Sequence, residues 1–377
     1  MNRLKQWFEE RLGLSLFLEF GKKQVEKPVP PHAGTYAFTL GTAALVLFMT
    51  QVGSGILLAL NYSSSMKEAY ASVARITYEL PSGWLIRSFH AWGAHLMVFV
   101  LLLHMLRVFW FGAYKKPREL TWVFGALLLL ITMTFGFTGY LLPMDQVSYW
   151  GTKVATQVAM GLPVVGDVPG RLLRGGDQIS DATLSRFFIL HVLLLPASVA
   201  GLVAAHLFLV RRLGITPKTS VTEEQQVGYE NMMKKEGVPF SHHLFREFTT
   251  VTVVLGLAVT LAVIFPSGLG AIATPDQTPE GVKPEWYFLP VYQILKYIPD
   301  RLAGLLVVNF GVALFVFLPF LDRNPQRAPS RRRLMMAAAA AGLLFTLALG
   351  VLGELSERTM GGVHFDMNGV PHRVTPK

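Results

Sequence analysis

Four histidines carry the first chemical signal in this sequence. His90 and His104 stand fourteen residues apart in one long apolar run, and His191 and His206 stand fifteen apart in another. A fourteen-residue step turns an ideal helix by about −40° and rises about 21 Å, while fifteen residues turn it by about +60° and rise about 22 Å. Each helix therefore shows two imidazoles on roughly one face. One apolar run separates the two helices, so they run in the same direction. His90 then meets His191 at one depth and His104 meets His206 at the other. A lone intramembrane histidine is as often a polar group bonded to a neighbouring helix as a functional one. Four at matched depths point to a paired function. Proton relays use intramembrane histidine but need no equal spacing in two helices. Zinc needs three or four protein ligands, and no cysteine or intramembrane carboxylate completes such a set here. Haem iron takes two axial ligands, which is what each depth offers.

The elements that must hold these residues are membrane helices. Of 377 residues, 52% are hydrophobic and 15% charged, and several apolar runs reach the roughly 20 residues needed to cross a bilayer. Seven runs, A to G, are drawn: Thr35–Leu60, Trp84–Phe111, Leu120–Leu142, Leu184–Val210, Thr249–Phe265, Leu302–Leu321 and Leu334–Leu352. Met1–Lys27 is a mixed-charge stretch without a small-residue cleavage site, so the start of the chain is expected to be retained. Leu4–Phe20 mixes apolar and charged residues in the manner of a helix lying on a membrane surface.

The net charge of +10 suggests nucleic acid only if location is ignored. Most of the 34 Lys and Arg fall in the N-terminal segment and the B–C, D–E and F–G loops, including Lys115, Lys116, Arg118, Lys218, Lys234, Lys235 and Arg327. That alternation sets topology rather than a phosphate-binding surface, and no nucleic-acid partner is expected. It places the N-terminus on the cytoplasmic side (n) and the C-terminus on the opposite side (p). Cysteine is absent, which excludes disulfides, thiolate metal sites and thioether-attached haem on this chain.

Other residues fit the haem reading. Gly41 and Gly55 in run A, and Gly125 and Gly139 in run C, repeat the fourteen-residue spacing. Glycines of this kind commonly allow close helix packing, but the shared spacing points to clearance for a macrocycle. Arg87 and Arg107 each lie three residues from His90 and His104 and are candidates to pair with haem propionates. Arg211 follows His206 by five residues, where it either meets a propionate or an anionic quinone or snorkels to the membrane surface. His95 has no partner at its depth in run D and is read as structural. Pro196 is expected to kink run D and so reconcile fifteen residues with fourteen. The C–D connection, Pro143–Thr183, is long, with a short amphipathic helix expected near Gln146–Val158, and loops of this length usually carry function. A polar stretch at Thr274–Glu285 precedes an aromatic run at Trp286–Phe288, and a short helix is expected within Phe288–Tyr297.

Four segments then resemble the cytochrome b of quinol:cytochrome c reductases: Ser88–Trp92, Lys116–Trp122, Phe135–Pro143 and Pro284–Tyr287. The resemblance runs from about Trp7 to run G. The fifteen-residue step and seven-helix total are similar to the b6-type cytochrome joined to its companion subunit in one chain. The region Pro31–Thr39 lacks the cysteine that attaches an extra haem in b6-type proteins.

The resemblance implies a p-side quinol-oxidation pocket, with Tyr140, Pro143, Trp150 and Gly151 in its wall and with Pro284, Glu285, Trp286 and Tyr287 supplying the second side and its polar groups. Glu285 then acts as proton acceptor, with Tyr287 and Tyr140 beside it. It further implies two non-covalent b-type haems ligated by His90, His191, His104 and His206, quinol and quinone as substrates, and a Rieske iron–sulfur protein and a c-type cytochrome as partners. The setting is a dimeric complex in the lipid of an energy-transducing membrane, such as a bacterial inner membrane. The expected fold class is all-α, seven transmembrane helices, with a four-helix di-haem bundle followed by three helices. The expected divisions are a surface segment (1–33), the di-haem domain (34–215), an n-side linker (216–246), a three-helix domain with the quinol-site loop (247–353) and a p-side tail (354–377). The rival reading, a di-haem anchor relaying electrons for a separate dehydrogenase, predicts no p-side acid motif. A transporter with incidental histidines predicts a colourless protein.

Overall fold

The computed structural model describes residues 3–25, 29–30, 35–160, 167–216, 236–238, 240–276, 279, 281–360, 363–367 and 369–373. Two short helices, α1 (Arg3–Leu12) and α2 (Leu14–Val25), open the chain. Gly13 between them has φ of +58°, a conformation that ends one helix and starts the next at low cost only for glycine. Then come α3 (Leu40–Ala59), α4 (Ala69–Tyr78), α5 (Gly83–Trp110), α6 (Glu119–Leu141), α7 (Gln146–Met160) and α8 (Asp167–Arg174). The next span comprises α9 (Asp181–Ile189), one π-helical turn at Leu190–Leu194 and α10 (Leu195–Leu213). The C-terminal part holds α11 (Phe240–Ile264), α12 (Leu289–Tyr297), α13 (Arg301–Val316), α14 (Leu318–Leu321) and α15 (Arg333–Leu355).

Among the described residues, six helices are long and apolar enough to cross a membrane, and α13 is a shorter apolar helix. The expected run F is thus present but divided at Phe317, because Pro319 brings no N–H to continue the ladder. Run E begins earlier than expected, at Phe240, and the amphipathic helix of the C–D connection forms as α7. The all-α architecture gains one small addition in the tail, an antiparallel sheet of β1 (Thr359–Met360), β2 (Val363–Phe365) and β3 (Pro371–Arg373). Much of the expected linker, with Lys218, Lys234 and Lys235, lies outside the described residues, as do residues 31–34.

Large apolar side chains such as Phe208, Phe245, Phe248 and Phe310 point outward and are more than 60% exposed. Hydrocarbon rather than water is the solvent that makes such a surface stable. Inside, α3, α5 and α11 pack around Leu47, Leu96, Met97, Val100 and Ala258. Another cluster joins Leu141, Trp150, Leu184 and Phe187 near one end of the bundle. At the far end a buried polar clamp ties the turn after α5 to the segment before α15. The Asp322 carboxylate accepts from Lys115 Nζ at 2.6 Å and from the Tyr114 hydroxyl. Arg332 donates to the carbonyls of Phe109 and Trp110 at 3.1 and 3.0 Å. The closest packing pairs α3 with α5, α12 with α15 and α6 with α10; α5 and the span Asp181–Leu213, which carry the four histidines, are not close packing partners.

Candidate functional site

The loosely packed interval between α5 and α10 is where His90 and His191 meet, with ring centroids 6.3 Å apart. Metal–imidazole bonds of about 2.0–2.1 Å, plus about 1.1 Å from each nitrogen to its ring centre, put two rings flanking one metal about 6.3 Å apart. The hydrogen bonds around them fix the tautomer. Ser54 spends its one hydroxyl hydrogen on the Thr50 carbonyl at 2.7 Å, so its oxygen must accept from His90 Nδ1 at 2.9 Å. Thr138 repeats the arrangement, donating to Thr134 O at 3.0 Å and standing 3.1 Å from His191 Nδ1. Protonated Nδ1 leaves the Nε2 lone pair of each ring for a metal, the usual arrangement of a supported ligand histidine. No cluster of three or more His, Cys, Asp or Glu suited to a metal ion occurs among the described residues. Two axial nitrogens with an equatorial macrocycle fit this donor set, and a four-ligand zinc site does not.

The fifteen-residue step is resolved at the ligand itself. His191 sits in the π turn, where Leu195 N–H reaches back five residues to Leu190 O. A π turn absorbs one extra residue, so α10 presents His206 as though fourteen residues separated the pair. The reconciliation expected at Pro196 is made by this π turn, with Pro196 directly after it and unable to donate to the Val192 carbonyl.

Each glycine faces one imidazole. A Cβ on Gly41 would lie 3.2 Å from His104 Cε1, on Gly55 3.3 Å from His90 Cε1, on Gly125 3.4 Å from His206 Cε1, and on Gly139 2.6 Å from His191 Cε1. The nearest neighbour of each of these glycines is thus an imidazole. At the second depth His104 Nδ1 is buried without a hydrogen-bond partner among the described residues. Arg87 donates to Ser267 O at 2.6 Å and Gly268 O at 2.9 Å, while Arg107 donates to Ala37 O at 3.2 Å and lies 4.4 Å over the Phe38 ring. Both guanidiniums thus sit at the ends of α5, bound in part to main chain, with five donors each to share. Arg211 is exposed in the last turn of α10.

A cavity of about 590 Å³ runs from His90 and His191 to Tyr140, Pro143, Glu285 and Tyr287. Tyr140 donates to Lys283 O at 3.4 Å, and Gly136 leaves the space that the Tyr287 hydroxyl fills. Trp150 and Gly151 stand behind the wall rather than in it. The Trp150 indole donates to Thr274 O at 3.3 Å, and Gly151 makes room for the Tyr140 ring. Pro284 and Trp286 also lie off the lining; Pro284 leads into Glu285, and Trp286 acts on its neighbours. Asp145 is the second carboxylate on the wall, but it is occupied by the amides of Ser148 at 2.9 Å and Gly270 at 3.1 Å. Burial pushes the Tyr287 phenol above its ordinary value, and the nearby Glu285 carboxylate adds to this. Tyr287 is therefore a neutral hydrogen-bonding group, and Glu285 is the other carboxylate on this wall.

Sequence reasoning missed three supports of this site. Ser54 and Thr138 orient the His90 and His191 rings, and their place one residue from Gly55 and Gly139 was the available signal. His95, expected to be structural, instead stands against the acid segment, with Nε2 3.8 Å from Glu285 Oε2.

Comparison with known proteins agrees with this geometry. Residues 24–214 match the family described as Cytochrome b/b6/petB, and residues 272–364 match Cytochrome b(C-terminal)/b6/petD. The cytochrome bc complex cytochrome b subunit of Chlorobaculum thiosulfatiphilum is 37% identical over 324 residues, covering 84% of this chain and 73% of that protein. Cytochrome b of Rhodospirillum rubrum is 34% identical over 372 residues, covering 94% and 86%. Cytochrome b6 of Synechococcus elongatus is 43% identical over 216 residues, which are 57% of this chain and 99% of that protein. A solved structure, Hyperthermophilic respiratory Complex III, superposes with a TM-score of 0.81 at 30% identity, covering 94% of this chain and 92% of that one. A b6-like part and a subunit-IV-like part are joined in one polypeptide, and the chain belongs to the cytochrome b/b6 family of membrane electron-transport proteins.

Proposed function

We propose that this chain oxidises quinol at the cavity bearing Glu285 and delivers electrons across the membrane to a quinone site at the opposite end, within a quinol:cytochrome c oxidoreductase. The observation that carries the reading is the continuity of that cavity: one space is lined both by the His90 and His191 pair and by the acid and phenol groups. Its volume lies within the roughly 300–1,000 Å³ usual for small-ligand sites. Two non-covalent b haems, one on His90 and His191 and one on His104 and His206, supply the one-electron route from the p side to the n side.

The protein's own part is positional and acid–base. Tyr287 and Tyr140 hold the quinol head group, while Pro143 and the aromatic wall limit water. Oxidising a quinol releases two protons: the Glu285 carboxylate accepts one and hands it to p-side water, and the other passes to p-side water directly. Arg87 and Arg107 have donors left for propionate carboxylates, and Arg211 faces the n-side boundary. A Rieske iron–sulfur protein takes the other electron and passes it to a c-type cytochrome, in a dimer of complexes in a bacterial inner membrane with the N-terminus cytoplasmic. The names of the relatives, subunits of bc-type complexes, support such partners. A di-haem anchor for a separate dehydrogenase would have no use for an acid opening into the cavity.

Glu285→Gln tests the proposal. It keeps size and hydrogen bonding but removes the base, so quinol-dependent turnover should fall by roughly 10²–10⁴-fold, less where water substitutes, with both haems retained. Unchanged turnover and an unchanged pH profile would make the motif architectural.

A further inference from the structure

His95 belongs to α5 but not to either ligand pair, and three aromatic or acidic groups of the Pro284–Tyr287 segment converge on it. The Trp286 indole Nε1 lies 3.2 Å from His95 Nδ1. Its imidazole is packed between Trp92, with ring centroids 5.5 Å apart, and Tyr287, with centroids 6.3 Å apart. On its other edge, Nε2 lies 3.8 Å from Glu285 Oε2. An indole N–H can only donate. Nδ1 must therefore accept, and the proton of the neutral ring is left on Nε2, facing the carboxylate. The separation of 3.8 Å is an electrostatic contact, and a movement of the glutamate side chain by about 0.8 Å closes it to a hydrogen bond.

We propose that His95 is a positioning residue for Glu285: Trp286 fixes the Nε2–H tautomer, and that N–H holds the charged carboxylate toward the quinol cavity. This rests on the role of Glu285 given above and extends it to the group that aims the base. A relay role through the ring fits less well. Nε2 already carries a proton, and an outgoing proton on Nδ1 would meet the indole N–H. The other titratable or charged groups on the cavity wall are Tyr62, Arg87, Tyr140, Asp145, Tyr287 and the ligand pair His90 and His191. Tyr62 and Tyr287 have phenols pushed up by burial. Arg87 and Asp145 are bound to main chain.

A base that is aimed at the substrate acts in the transition state, so removing the group that aims it lowers kcat more than it changes the quinol KM. Turnover against quinol concentration is measured in membranes carrying the assembled complex, with a short-chain quinol that supports wild-type activity and a soluble c-type cytochrome as acceptor. His95→Leu should leave the quinol KM little changed and lower kcat several-fold. His95→Gln should return kcat toward wild type, since the amide oxygen can accept from Trp286 while the amide N–H faces Glu285. Trp286→Phe, which leaves α5 untouched, should lower it as His95→Leu does. In a Glu285→Gln background, His95→Leu should add no further loss. Haem spectra of each variant report assembly. A His95→Leu kcat equal to wild type, while Glu285→Gln still slows turnover, overturns the positioning role alone. Failure of His95→Gln to do better than His95→Leu overturns it in favour of a titrating relay. Wild-type turnover in Glu285→Gln overturns the underlying reading of the acid, and this inference with it.

Discussion

Gly139→Ala is the smallest change expected to separate the two haem sites. The added Cβ would stand 2.6 Å from His191 Cε1 and 3.2 Å from both ring nitrogens. Carbon atoms rest at about 3.5–4.0 Å, so the imidazole must retreat by about 1 Å. A ligand constellation tolerates displacements of about 0.5 Å, half of what is demanded. Overpacking of this kind costs about 1–3 kcal/mol, against a gain of up to about 1 kcal/mol from replacing a helical glycine by alanine. The loss should win at Gly139. At Gly125, where the corresponding distance is 3.4 Å, the contact is nearly ordinary, and Gly125→Ala should leave its site intact. Redox titration and reduced-minus-oxidised spectra of membranes read the two b haems separately. The expected result is loss or a shifted potential of the haem at the His90 and His191 depth in Gly139→Ala, with the other haem unchanged. Two normal haems in Gly139→Ala, or the reverse order of damage between Gly139 and Gly125, would refute the reasoning.

Three further outcomes follow from the same geometry. His90→Ala or His191→Ala should remove one b haem and His104→Ala or His206→Ala the other, with pyridine haemochrome content falling by half in each; His95→Ala should keep both. Deleting Val192 should convert the π turn to regular helix and preserve both haems, whereas deleting Val203, between the ligands in regular helix, should turn His206 by about 100° and lose one, as spectra would show. Burial alone would raise the Asp322 carboxyl, but hydrogen bonds from Lys115 and Tyr114 outweigh it and hold the carboxyl below its ordinary range. With its folded pKa depressed, Asp322 contributes stability above the ordinary carboxyl pKa and loses it as pH falls through the folded value. Asp322→Ala should cost about 3–5 kcal/mol by leaving Lys115 charged and buried, and thermal unfolding of the purified complex should show less additional loss at acid pH than wild type.

The spacing of the histidines was enough to pair them by depth, because a helix converts sequence separation into rotation and rise. It did not reveal how fifteen residues match fourteen, since apolar periodicity does not distinguish a π turn from an α turn; only Pro196 marked the place. The seven apolar runs were legible for the same reason, while the break in run F depended on one proline within an otherwise continuous pattern. The neighbours of His95 could not be read from α5, because Glu285 and Trp286 come from far along the chain. Their position is set by the docking of the segment after α11, where Arg87 and Trp92 bind Ser267, Gly268 and Phe265 carbonyls. No local pattern in α5 encodes that docking.

The end of α6 shows why the two sites share one cavity. Gly136 and Gly139 are three residues apart and so lie on one helix face. Gly136 makes room for the Tyr287 hydroxyl, and Gly139 makes room for the His191 imidazole. A side chain at the first position would push the acid segment away from the bundle, and a side chain at the second would push the ligand off its axis. Thr138 lies between them in sequence and orients His191 through Nδ1, while Tyr140 follows and closes the cavity toward Lys283. Within five residues one helix end thus seats the ligand, supports it, admits the phenol and walls the pocket. The spacing between the seat of the Tyr287 hydroxyl and the seat of the His191 ring is therefore set by one turn of α6.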